Sequence, residues 1–159
     1  LSGIWPNWEG HLSRPADMVF VPQRPYYPIA TLAEAIVYPE PLPTQPQALA
    51  HVMQQIHDYL GRFDLSKLTP QLDHSADWNK ILSLGELQKL QIIRILIQAP
   101  AWICLDEPTS AMDHAGRRLA LSLLLEELKS STIVMITHGV EEAAGWDKSY
   151  DMHALTAEN

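Results

Sequence analysis

Residues Ile103 to Gly116 read ICLDEPTSAMDHAG, an apolar run that breaks off at two adjacent carboxylates, Asp106 and Glu107, before a Pro-Thr-Ser turn. The run starts at Ala101 (AWICL, 101–105), and continuous apolarity of this length is what a strand covered on both faces requires. Downstream, RRLALSLLLEELK (117–129) predicts an apolar-rich helix and TIVMI (132–136) a second buried strand. Strand, helix and strand at this spacing form a βαβ unit, hence a parallel sheet with a right-handed crossover. The fold class is therefore α/β. A last helix over 140–145 and a strand over 149–155 are expected to close the chain.

Upstream of this unit the pattern changes. Met18–Val21 (MVFV) is a short apolar strand ended by Pro22, and the Pro- and Tyr-rich loop QRPYYPIA follows. Thr31-x-x-Glu34 is a capping box that opens a short helix through Val37. Pro39 stops that helix, and Pro41, Pro43 and Pro46 make a stiff linker. From Gln47, the residues Leu49, Val52, Met53, Ile56, Tyr59 and Leu60 fall at helical spacing, with Gly61 as the expected C-cap. Residues 62–80 read as polar and irregular. A second long helix starts after Ser83 and runs to Gln98, before Pro100. Its apolar residues (Leu87, Leu90, Ile92, Ile93, Ile95, Leu96, Ile97) surround it, so most of it is expected to be buried. No internal repeat is present.

Composition narrows the partners. The chain has 159 residues, 47% apolar and 19% charged, with a net charge of −8, so it suits a globular domain with a core. No Lys/Arg cluster offers the basic stripe that nucleic acid requires, so no nucleic-acid partner is expected. The single cysteine, Cys104, cannot form an internal disulfide, reads as a small core residue, and fits a reducing compartment. No apolar run approaches the ~18 residues of a membrane helix. Since the first residue is Leu1, the chain is expected to begin inside a longer reading frame or to have been processed or cut.

Three constellations carry chemistry. In LSLGELQ (82–88), Ser83 and Glu86 form a capping box and Gly85 allows close backbone approach. A hydroxyl and free N–H groups at the positive end of a buried helix suit an anion; the same cap equally serves only to stabilise the helix. Asp106 and Glu107 follow a strand, at the sheet edge where open α/β folds place their crevice. Two carboxylates there suit a Mg²⁺ ion and a general base, or are simply solvated acids in a loop. His138 ends the neighbouring strand, where a neutral imidazole can bond a phosphate oxygen or orient Glu107 and water. The other six histidines show no metal-ligand spacing.

Taken in order, these stretches resemble the ATP-binding cassette (ABC) ATPases over essentially the whole chain. VPQ with Gln23 resembles the Q-loop, LSLGELQ the signature motif, and AWICLDE the Walker B strand; SAMD with Asp113 resembles the D-loop, and ITH with His138 the H-loop. PQRPYYPIATLAEAIVYP (22–39) is similar to the exporter-type half-transporters that include the peroxisomal fatty-acyl transporters and their bacterial relatives. GIWPNWEGHLSRP (3–15) looks like the segment that follows the phosphate loop in that subfamily.

The resemblance implies a P-loop NTPase-like parallel core with an inserted helical signature subdomain. Residues 1–28 would belong to the core and carry the Q-loop, 29–98 would form the subdomain, and 99–159 would complete the core. It implies that Glu107 polarises the attacking water, that His138 contacts the γ-phosphate, and that Asp106 holds Mg²⁺ through water. Gln23 would sense Mg²⁺ and signal to the membrane domain. Ser83, Gly85, Glu86 and Asp113 complete the nucleotide-binding set, with Ser83 and Gly85 meeting the ATP held by the opposite subunit. The partners implied are a transmembrane domain, fused upstream, and a second nucleotide-binding domain arranged head to tail. The location implied is the cytoplasmic face of a membrane, a bacterial plasma membrane ahead of the peroxisome.

Leu84 replaces a commoner glycine of the signature and Leu87 a commoner glutamine. The larger departure is the phosphate loop G-x-x-x-x-G-K-[ST], because none of the seven glycines is followed by lysine. The loop and the early strands are expected to lie before Leu1, and the 159 residues alone are expected to bind ATP poorly and not to hydrolyse it. Two other readings differ in class. A soluble ABC protein of DNA repair or translation would show long coiled coils, a tandem cassette or more positive charge. A regulatory cassette without catalysis would have no need of Glu107 beside Asp106.

Overall fold

The computed structural model describes residues 15–138 and 145–151. Its centre is the strand that carries the apolar run 101–105. Ile103, Cys104 and Leu105 are wholly buried, as a strand flanked on both edges and covered on both faces must be. This strand, β4 (Trp102–Asp106), lies between β1 (Val19–Val21) and β5 (Thr132–Ile136), parallel to both. Val19 is in register with Ile103, and Asp106 with Ile136. The mixed α/β class and the parallel sheet are thus as expected.

The element order is β1, β2 (Ala30–Thr31), α1 (Leu32–Val37), α2 (Pro46–Arg62), a 3-10 helix (Ser66–Gln71), β3 (Ser75–Ala76), α3 (Trp78–Ile81), α4 (Leu84–Gln98), β4, α5 (His114–Glu127) and β5. Both capping boxes form: Thr31 with Glu34 opens α1, and Ser83 with Glu86 opens α4. The α4 helix is apolar around most of its circumference because α1, α2 and α5 all pack on it. It ends at Ala99, whose left-handed backbone (φ 42°) turns the chain into Pro100 and β4.

Several expectations needed correction. The α5 helix begins at His114, three residues before 117, because Asp113 caps it by accepting from the N–H of Gly116 at 2.9 Å. Gly61 lies inside α2; the left-handed position belongs to Asp64 (φ 58°). The N–H groups of Leu65 and Asp64 bond the carbonyls of Leu60 and Gly61, the Schellman pattern that normally recruits glycine. Pro46 is the first residue of α2, not the end of a linker.

Residues 62–80 are not irregular, since they hold the 3-10 helix, β3 and α3. The two-residue strands β2 and β3 pair antiparallel, Ala30 with Ala76, and the indole of buried Trp78 donates to the Ala30 carbonyl at 3.0 Å. Finally, β5 is only half-buried. Ile133 and Met135 face the core, whereas Val134 and Ile136 are each 43% exposed. Its only ladder among the described residues is with β4.

The segment 1–14, the helix expected over 140–145 except Gly145, and residues 152–155 of the last expected strand lie outside the described residues. Residues 149–151 form no strand. No helix among the described residues is long and apolar enough to cross a membrane.

Candidate functional site

Parallel strands end at the same edge, so β1, β4 and β5 deliver the residues that follow them to one crevice. The residues delivered are Gln23, Glu107 and His138. The two oxygens of the Glu107 carboxylate are held separately: Gln23 Nε2 donates to Oε2 at 2.8 Å, and His138 Nε2 lies 2.7 Å from Oε1. The carboxylate is one-fifth exposed, while the His138 ring is almost entirely open to solvent.

The backbone enforces this arrangement. The N–H of Glu107 donates to the Ile136 carbonyl at 2.9 Å, extending the ladder one residue past β4. Glu107 itself sits at φ 44°, a left-handed conformation costing a non-glycine residue about 1–3 kcal/mol. That turn swings its side chain toward Gln23 and His138. Asp106, the last residue of β4, is half-buried at the same edge. Behind it the Cys104 thiol has its pKa raised, first by burial and then by the charge of Asp106.

A fourth side chain joins the group. Gln88 of α4 is completely buried. Its Nε2 donates to the Gln23 carbonyl and to Ser110 Oγ, both at 3.1 Å, and lies 3.5 Å from the Glu107 carbonyl; its Oε1 accepts from the Ala111 N–H at 2.9 Å. Sequence reasoning gave Gln88 no role. The available signal was two glutamines, Gln88 and Gln91, three residues apart on a helix whose neighbouring residues are largely apolar.

Ser83, Gly85 and Glu86 stand at the N-terminus of α4, and their bonds close on themselves and on Lys67. Glu86 Oε2 accepts from both the backbone N–H and the hydroxyl of Ser83 at 2.8 Å, and Lys67 Nζ lies 2.6 Å from Glu86 Oε1. Lys67 first, helped by the two Ser83 bonds, brings the Glu86 carboxyl down to about 2 against the opposing effect of burial. Lys67 too was missed by sequence reading, since nothing local links a 3-10 helix to the signature. Asp113 is mostly exposed; it caps α5 and lies 3.9 Å from Lys89 Nζ. The structure thus brings Gln23, Glu107 and His138 into direct contact, keeps Asp106 beside them, and places the signature residues and Asp113 in separate hydrogen-bond sets.

A sheet edge of this kind, with a clamped carboxylate beyond its central strand and a capped helix end on the same chain, fits a nucleotide-handling α/β domain. The family described as ABC transporter matches residues 8–110, and the chain belongs to it. The inner membrane ABC transporter ATP-binding protein YddA of Escherichia coli is 32% identical over 157 residues, which cover 99% of this chain and 26% of that protein. ATP-binding cassette sub-family D member 1 of Drosophila melanogaster is 34% identical over 121 residues, 70% of this chain and 16% of that protein. The mouse lysosomal cobalamin transporter ABCD4 is 33% identical over 121 residues, 70% of this chain and 20% of that protein. The chain therefore spans about a quarter of the length of the Escherichia coli relative. Both the family and the subfamily resemblance agree with these relatives.

Proposed function

We propose that these residues are part of the nucleotide-binding domain of a membrane transporter that couples ATP hydrolysis to translocation, with Glu107 as the general base. The observation that carries this reading is the Glu107 carboxylate, turned out of β4 by a left-handed backbone and held by Gln23 on one oxygen and His138 on the other. Each carboxylate oxygen has a second lone pair, so Glu107 can accept a proton from water while both contacts persist.

In this reading Gln23 and His138 keep the carboxylate in one rotamer, and the exposed His138 ring also reaches a γ-phosphate oxygen. The donor set at the edge fits Mg²⁺, because the Asp106 carboxylate and the Gln23 amide oxygen are the hard oxygen ligands that ion takes. When bound there, Mg²⁺ neutralises charge on the phosphate oxygens. Ser83, the N–H groups around Gly85, Glu86 and Asp113 form the surface offered to the nucleotide of an opposing domain.

Residues 29–98 act as the helical subdomain between core segments 1–28 and 99–159. The partners are a transmembrane domain and a second nucleotide-binding domain, and the site faces the cytoplasm. The 159 residues by themselves bind MgATP weakly, since no G-x-x-x-x-G-K-[ST] occurs among them.

The test is Glu107→Gln in the protein as encoded. Glutamine preserves shape but cannot take a proton, so ATP binding should persist while turnover falls by about 10²–10⁴. Undiminished turnover overturns the reading.

A further inference from the structure

We propose that Gln88 is a positioning residue for ATP hydrolysis, setting Gln23 and Glu107 in register from the signature helix; this rests on the reading of Glu107 as the base. A buried carboxamide gains nothing from apolar surroundings and is costly to bury unless its polar atoms find partners. The Gln88 side chain has no exposure, and its two ends are engaged by two segments far apart in sequence: Gln23 after β1, and the turn Glu107–Ala111 after β4.

The neighbours of Gln88 on α4 show that one helix stripe reads these loops. Three residues before it, Gly85 packs so closely on Ala111 that a Cβ there would lie 2.6 Å from the Ala111 carbonyl oxygen. Three residues after it, Gln91 donates to the Pro22 carbonyl at 3.4 Å. Positions at i and i+3 share a helix face, so residues 85, 88 and 91 form one line along α4. That line touches the segment after β1 at its far end and the turn after Glu107 at its near end.

Gln88 is the member that touches both. It grips the backbone of Gln23, whose side chain in turn holds Glu107 Oε2. A shift of α4 is therefore passed to the carboxylate through Gln88. The helix is capped by Ser83 and begins at Leu84, so the residues read as meeting nucleotide and the residue that sets the base share the first turns of one rigid element.

The experiment uses Gln88→Met, which keeps the side chain's length and removes its donors and acceptor, in the protein as encoded. Misplacing a catalytic group by about 1 Å costs up to about 10²-fold, so kcat for ATP should fall by about 10–100-fold with KM little changed. The same substitution is then made in a Gln23→Ala background. If Gln88 acts through Gln23, most of its effect is lost there; a merely structural defect keeps its full factor in both backgrounds.

Unchanged kcat in folded Gln88→Met, or an undiminished factor alongside Gln23→Ala, overturns the proposal. If Gln88→Met does not fold, Gln88→Glu is read in the same cycle, because it retains the acceptor for the Ala111 N–H and loses the donors toward Gln23 and Ser110. Failure of the two ideas is distinguishable. Full turnover in Glu107→Gln removes the base assignment, whereas a normal loss there with unaffected Gln88→Met removes only the positioning role.

Discussion

Gly85 and Ala111 meet backbone to backbone: a Cβ built on Gly85 would sit 2.6 Å from the carbonyl oxygen of Ala111. No alanine fits without moving either the first turn of α4 or the turn after Glu107, because neither neighbour is a flexible side-chain end. Gly85→Ala should therefore destabilise the fold by about 1–3 kcal/mol, outweighing the helix propensity that alanine adds. Gly116 is the internal comparison. A Cβ there meets only side-chain atoms, Asp113 Oδ1 at 2.6 Å and Lys89 Cε at 2.9 Å. Gly116→Ala trades part of a cap for propensity and should stay within about 1 kcal/mol of the parent. Urea denaturation of both variants checks the ordering, and equal stabilities would contradict the close approach.

The Lys67–Glu86 pair makes stability sensitive to acid. In the folded protein the Glu86 carboxyl is lowered from 4.5 to about 2, with Lys67 the largest cause. Its folded value lies below its unfolded one, so between those values the unfolded chain binds more protons. The contribution is present above pH 4.5 and is lost as pH falls toward about 2. Glu86→Gln keeps the back-bond of the capping box but cannot titrate. The difference in Tm between parent and Glu86→Gln should be largest near neutral pH and shrink through this window. High salt should reduce it as well, because Lys67 is largely exposed. A difference that does not change with pH would rule out the pairing as its source.

Arg94 illustrates a half-buried cation held by backbone carbonyls and an aromatic ring. Its guanidinium donates to the carbonyls of Ala35 at 2.8 Å, Ile36 at 3.0 Å and Tyr26 at 3.3 Å, and lies 4.5 Å from the centre of the Tyr27 ring. Burial holds the guanidinium's pKa below its ordinary value, and the same burial pushes the Tyr27 hydroxyl up. A lysine cannot reproduce this planar fork. Arg94→Lys should cost about 2–3 kcal/mol in chemical denaturation, from lost charge-assisted bonds and lost stacking. A change near zero would mean that the three carbonyls find water instead.

Much of the fold was legible because its signals are local. The apolar run at 101–105 identified the central strand, whose Ile103, Cys104 and Leu105 are fully buried; the similarly apolar run at 132–136 is a strand with one face half exposed, so such a run marks a strand more surely than its burial. The boxes Thr31/Glu34 and Ser83/Glu86 set two helix starts within a residue, because capping is settled over three residues. The misreadings share the opposite cause. Asp64 takes a position that composition assigns to glycine because the Leu60 and Gly61 carbonyls are satisfied there. The strands at 30–31 and 75–76 are too short to show any periodicity.

The candidate site divides in the same way. Asp106, Glu107 and His138 could be named from sequence because they end or closely follow readable strands, and parallel strands finish at one edge; Gln23 is named by the resemblance of VPQ to the Q-loop. Gln88 and Lys67 could not, because what matters in them is a partner more than fifteen residues away. The sequence by itself determined the α/β class, the order of the parallel unit, two helix caps and the residues delivered to the crevice. Only the tertiary structure decided that Gln23 and His138 hold opposite oxygens of Glu107, that Lys67 neutralises Glu86, and that one face of α4 presses on both loops. Periodicity and capping are written into neighbouring residues, whereas a hydrogen bond across 84 residues, as between Gln23 and Glu107, exists only once packing has brought the two strand ends together.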